Sequence, residues 1–159
     1  MAASPVLVLG VGNVLMGDEG VGVHAVRELE SRAWPANVTL LDGGTGGFHL
    51  LSHLAECGRV LMIDATLDGR PPGTVSVIEP RYASDFPRAL SAHDTGLKDL
   101  VESAALIGKL PKVTLITISV AELQPMQMTL SPEVASALPR VVALAHELAT
   151  ELASTSPTP

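Results

Sequence analysis

Two carboxylates and one imidazole stand out by type and place: Glu19, Asp64 and His93. Glu19 belongs to an acidic pair, Asp18-Glu19, set in a loop with glycines at 10, 12, 17, 20 and 22. Asp64 closes the apolar run Val60-Leu61-Met62-Ile63, and His93 sits in a long irregular segment, 80–94, that contains two prolines. Two carboxylates with a neutral imidazole suit a borderline divalent ion such as nickel, zinc or manganese. Three protein ligands leave positions open for water or substrate, as a working metal site requires. Because the imidazole ligates only when neutral, such a grip weakens below roughly pH 6. Taken singly, each residue has an ordinary explanation. Glu19 can complement a helix N-terminus, Asp64 can cap a turn, and His93 can bond to backbone.

Rival chemistries fit less well. Gly10-Val11-Gly12 begins a dinucleotide fingerprint, but Leu15 stands at the third glycine position. Asp42 can pose as the ribose-binding acid, yet a pyrophosphate at this loop would meet Asp18 and Glu19 and be repelled. His49 and His53 are one helical turn apart, but Leu50 stands where a zincin carries its Glu. A solvated helix face explains that pair better, and His24 and His146 read as ordinary helix residues. No nucleophile elbow or Ser-His-Asp order is found. The single cysteine, Cys57, reads as a small buried residue and allows no internal disulfide, in keeping with a reducing compartment.

The elements that must position these groups follow from patterning. Residues 6–9 form an apolar, β-branched run, the mark of a strand covered on both faces. A helix follows from 19 or 20 to 32. Strands are predicted over 38–41, ending at Asp42, over 60–63, over 74–79 and over 112–120. Shorter helices are predicted over 48–57 and 96–107. Ser131-Pro132-Glu133 is a strong helix start, and Val134, Leu138, Val141, Val142, Ala145, Leu148 and Leu152 give its apolar face. Alternating strands and helices predict an α/β three-layer sandwich: a mostly parallel, twisted sheet of about five strands with helices on both faces. Residues 1–153 read as one domain and 154–159 as a disordered tail. The carboxyl ends of the first strands then share one crevice.

Composition narrows the partners. The 159 residues are 47% hydrophobic, 17% charged and only 3% aromatic, so the core rests on aliphatic side chains. A net charge of −7 argues against nucleic acid and anionic membranes and favours a basic or metal-loaded partner. No signal peptide and no membrane-length apolar stretch is found, which predicts a cytoplasmic, soluble chain.

Several stretches in order resemble one family. Leu9-Gly10-Val11-Gly12-Asn13-Val14-Leu15 with Asp18-Glu19 and Gly22-Val23 is similar to the N-terminal signature of the nickel–iron hydrogenase maturation endopeptidases. Leu41-Asp42-Gly43-Gly44-Thr45-Gly46-Gly47 resembles their glycine loop, Ile63-Asp64-Ala65 the end of their third strand, and Ser91-Ala92-His93-Asp94-Thr95-Gly96-Leu97 their histidine segment. The resemblance implies an endopeptidase that removes the C-terminal extension of a hydrogenase large-subunit precursor once nickel is inserted. It implies metal ligands and catalytic groups at Glu19, Asp64 and His93, with nickel supplied by the precursor and no organic cofactor. It also ties Asp42, Gly43, Gly44 and Thr45 to substrate handling. A metal-dependent docking or checkpoint module without proteolysis is the alternative that the residues leave open.

Overall fold

The structure is a computed structural model and describes residues 5–44, 56–80, 106, 111–121 and 128–154. Strand β1 (Val6–Val11) leads through a loop into a 3-10 turn (Gly17–Gly20) and helix α1 (Val21–Leu29). Strands β2 (Val38–Gly44), β3 (Arg59–Thr66), β4 (Val75–Ile78) and β5 (Lys112–Ser119) follow, and helix α2 (Pro132–Ser154) ends the described chain. Residues 48–55 and 96–105 of two predicted helices, with His49, His53, the segment 81–94 and the tail beyond 154, lie outside the described residues.

The five strands form one sheet in the order β2-β1-β3-β5-β4. β2, β1, β3 and β5 run parallel, and β4 lies antiparallel to β5 at the edge. This is the predicted mostly parallel α/β sheet. Its fully apolar strands belong where both faces are covered. Along β3 the side chains alternate between two cores. Leu61, Ile63 and Ala65 face the core shared with α1 and α2, whereas Val60 and Met62 face a second core with Leu7, Leu9 and Leu115. Cys57 packs on that second face. Burial, then the neighbouring Glu56, pushes its thiol above the usual range, which suits an inert packing residue.

Two strands run further than the sequence reading. β2 runs on through Asp42 to Gly44, and β3 runs on through Asp64 to Thr66. Parallel pairing carries both strands past the polar residues that looked like stops: Gly10 pairs with Asp42, and Asp64 pairs with Thr117. The first helix is shorter than predicted, because its opening turn is 3-10 and its α-helical part ends at Leu29.

Helix α2 buries a narrower stripe than its leucines implied. Val134, Ala137, Val141, Val142, Ala145, Ala149 and Ala153 are buried, while Leu138, Leu148 and Leu152 are only partly so. The small residues let α2 lie close on α1, and the leucines flank the contact. His146 extends it: its Nε2 lies 3.1 Å from the Ala33 carbonyl, and its ring meets Trp34 edge-on at 4.8 Å. At the C-terminal end, the Arg59 guanidinium donates to the Leu152 carbonyl and the Asn37 amide to that of Ala153. A cation there also complements the helix dipole. Arg59 is only 8% exposed. Removing a buried charged donor costs roughly 1.5–3 kcal/mol, so Arg59→Ala should lower the urea midpoint by that equivalent without changing the m-value. Among the described residues, no helix is long and apolar enough to cross a membrane.

Candidate active site

The order β2-β1-β3 makes the chain reverse direction across the sheet between β1 and β3. In open α/β sheets, ligands bind at the carboxyl ends of the strands flanking such a reversal. Glu19 and Asp64 both belong to that point. The last β1–β3 pair is Gly10 with Ile63, so Asp64 is the first β3 residue beyond the β1 ladder. The 3-10 turn that carries Glu19 packs against β3.

Missing side chains make this approach possible. A methyl group on Gly12, whose φ is +136°, would lie 2.0 Å from the Glu19 carbonyl oxygen. A methyl on Gly22 would lie 2.1 Å from the Ile63 carbonyl oxygen and 2.6 Å from that of Val11. The first glycine lets the Glu19 backbone rest on the loop. The second seats the start of α1 directly on the residue before Asp64.

Both carboxylates are withdrawn from bulk water: Glu19 is 2% exposed and Asp64 0%. Burying a carboxylate is costly unless it is bonded or paired. One Asp64 oxygen accepts the Ala65 backbone N–H at 2.8 Å. Asp18 is buried too, but faces elsewhere: Oδ1 accepts from the Ser131 N–H and Oδ2 from its hydroxyl, each at 2.7 Å. Ser131 stands where a helix cap was predicted, yet its hydroxyl donates to Asp18, 113 residues away.

On the far side of the loop, a pocket of about 280 Å3 opens between Asn13, Leu15, Val23, Arg27 and Asp42. Arg27 donates to Asp42 at 3.3 Å, and both side chains are substantially exposed. Such a pair contributes about 0–1 kcal/mol. Sequence reasoning missed Arg27, since nothing local links it to a residue 15 positions on. His24 lies on the same helix, with its Nε2 shielded and without a hydrogen-bond partner among the described residues. Burial, then the Arg27 charge, holds its imidazole below the usual histidine range.

Of the expected site residues, Glu19, Asp42, Gly43, Gly44 and Asp64 are described, whereas His93 and Thr45 lie outside the described residues. Asp42, Gly43 and Gly44 end β2, on the opposite side of β1 from β3. Among the described residues, no three His, Cys, Asp or Glu side chains are grouped as a metal would need.

The hydrogenase maturation protease family model matches residues 23–148. The chain belongs to that family. It is 37% identical over 150 residues to the hydrogenase expression/formation protein HupD of Bradyrhizobium diazoefficiens, covering 92% of this chain and 78% of that one. It is 34% identical over 153 residues to the hydrogenase 2 maturation protease of Escherichia coli K12, covering 92% and 93%. The fold matches that of the hydrogenase-maturating endopeptidase HybD from E. coli with a TM-score of 0.83 at 32% identity, over 92% of this chain and 93% of that one. Membership of a family of maturation proteases makes this a peptidase scaffold.

Proposed function

We propose that this chain is the endopeptidase that trims the C-terminal extension from a nickel–iron hydrogenase large-subunit precursor after nickel insertion. Membership of the maturation protease family supports the reaction class. The observation that carries the metal-reading part is the placement of two almost fully buried carboxylates, Glu19 and Asp64, at the sheet reversal. In this reading Glu19, Asp64 and His93 grip the nickel that the precursor already holds through its own cysteines. The cation is thus part of the substrate. Its charge offsets the cost of two carboxylates in a shielded crevice, and a nickel-free precursor offers them no such counter-charge. That asymmetry makes the enzyme selective for loaded precursor.

The remaining residues handle the peptide. Asp42, Gly43, Gly44 and Thr45 contact the client chain, Asp42 from the edge of the Arg27 pocket, and gripping the nickel brings the scissile bond to the Glu19–Asp64 crevice. When bound, the cation supplies Lewis acidity towards a carbonyl or water. Asp42 is the candidate base or a substrate contact.

Purified precursor, nickel-loaded or nickel-free, incubated with the protein and weighed intact, tests the reading. Loaded precursor should lose a defined C-terminal fragment, and nickel-free precursor should keep its mass. An uncut precursor held in a stable complex would identify a docking module instead. Equal trimming of both forms would leave a protease but remove nickel as the signal.

A further inference from the structure

The 3-10 turn that carries Glu19 is short. It has four residues, and neither Met16 before it nor Gly20 before α1 supplies a side-chain cap. The Glu19 N–H reaches the Met16 carbonyl only at 3.3 Å. A side-chain tie from this turn is made by Asp18, which is 3% exposed and accepts at both oxygens from Ser131, each at 2.7 Å. Hydrogen bonds to an ionised acceptor are about twice as strong as neutral ones, and the negative charge lies at the N-terminal end of α2, where the helix dipole favours it.

Helix α2 is a firm anchor. Its far end is tied by Arg59 and Asn37. Near its start, the Glu133 carbonyl lies where a methyl on Gly73 would come within 2.7 Å, so the β3–β4 turn presses on it directly. The Asp18–Ser131 contact therefore joins the short turn to the longest described element of the fold.

We infer that Asp18 and Ser131 are positioning residues for the cleavage reaction. They hold the turn in register on α2 and so fix where the Glu19 carboxylate meets the client's nickel. The inference rests on the reading of Glu19 under Proposed function. Neither residue touches substrate; both act through Glu19.

The test compares affinities for nickel-loaded and nickel-free precursor, using wild type, Ser131→Ala, Ser131→Thr and Glu19→Gln. A purely structural role scales both affinities together, whereas displacement of Glu19 shrinks their ratio. Ser131→Ala removes one of two bonds to a buried carboxylate, so the ratio should fall about tenfold, with the melting curve still cooperative. Ser131→Thr keeps both the N–H and the hydroxyl and should restore the ratio. An unchanged ratio in Ser131→Ala, alongside a collapsed ratio in Glu19→Gln, overturns the positioning role alone. An unchanged ratio in Glu19→Gln as well overturns the reading of Glu19 itself.

Discussion

Gly22→Ala should abolish precursor processing and destabilise the fold by about 3 kcal/mol or more. Intrinsic propensity points the other way. Gly22 lies in α1, where Ala is preferred over Gly by up to about 1 kcal/mol. Packing decides the sign. The new methyl would lie 2.1 Å from the Ile63 carbonyl oxygen and 2.6 Å from that of Val11. Both atoms belong to the backbone of central strands β3 and β1, which cannot turn aside as a flexible side chain can. Relief requires α1 to lift by about 1 Å, and close-packed interiors accommodate such shifts only at a cost of kilocalories. The lift carries the adjoining 3-10 turn with it, so Glu19 leaves its place as well. Gly69→Ala is the control: its φ is +81° but nothing lies within 4 Å, so only the left-handed backbone penalty of roughly 1–2 kcal/mol applies. Thermal melting and intact-mass assays on both variants separate steric exclusion from a general intolerance of glycine replacement.

The second large effect separates stability from activity. Glu19→Gln combined with Asp64→Asn keeps shape and removes two negative charges from positions 2% and 0% exposed. The amide oxygen at 64 can still accept the Ala65 N–H, which Asp64 now receives at 2.8 Å. The melting temperature should stay within a few degrees of wild type, because neutral groups are cheaper to bury than charged ones. Processing of loaded precursor should nevertheless fall by about 10³-fold or more, equivalent to the several kcal/mol a correctly held cation contributes. Normal processing by the double variant would remove the carboxylates from the mechanism.

The sequence made the sheet readable because residues 6–9 of β1 and 60–63 of β3 are unbroken apolar runs. Residues 6–9 and 60–63 fall wholly on observed strands, as do 112–119 of the predicted 112–120. The ends were less readable. Asp42 and Asp64 look like strand stops, but each is held in a parallel ladder by a partner far along the chain. The antiparallel setting of β4 depends on β5, more than 30 residues on, and no local pattern encodes it. Glu19 and Asp64 draw notice as candidate ligands because acidic residues at or beyond the ends of apolar strands are chemically conspicuous. What positions them was not visible. Asp18 attracted notice only as the partner of Glu19 in an acidic pair, and Ser131 only as a cap. Their mutual bonds span 113 positions, a separation that no periodicity reports. Likewise, the glycines of the first loop marked a turn, but only coordinates show that Gly12 and Gly22 are gaps into which Glu19 and Ile63 backbone atoms fit.

Under the proposed function, Glu19, Asp64 and His93 close around one nickel ion. Diffraction from crystals of the protein grown with nickel, recorded on both sides of the nickel absorption edge, tests it most directly. A single strong anomalous peak in contact with the Glu19 and Asp64 carboxylates and an imidazole is the predicted result. A nickel peak that touches neither carboxylate, or none in that crevice at full nickel occupancy elsewhere, would contradict it.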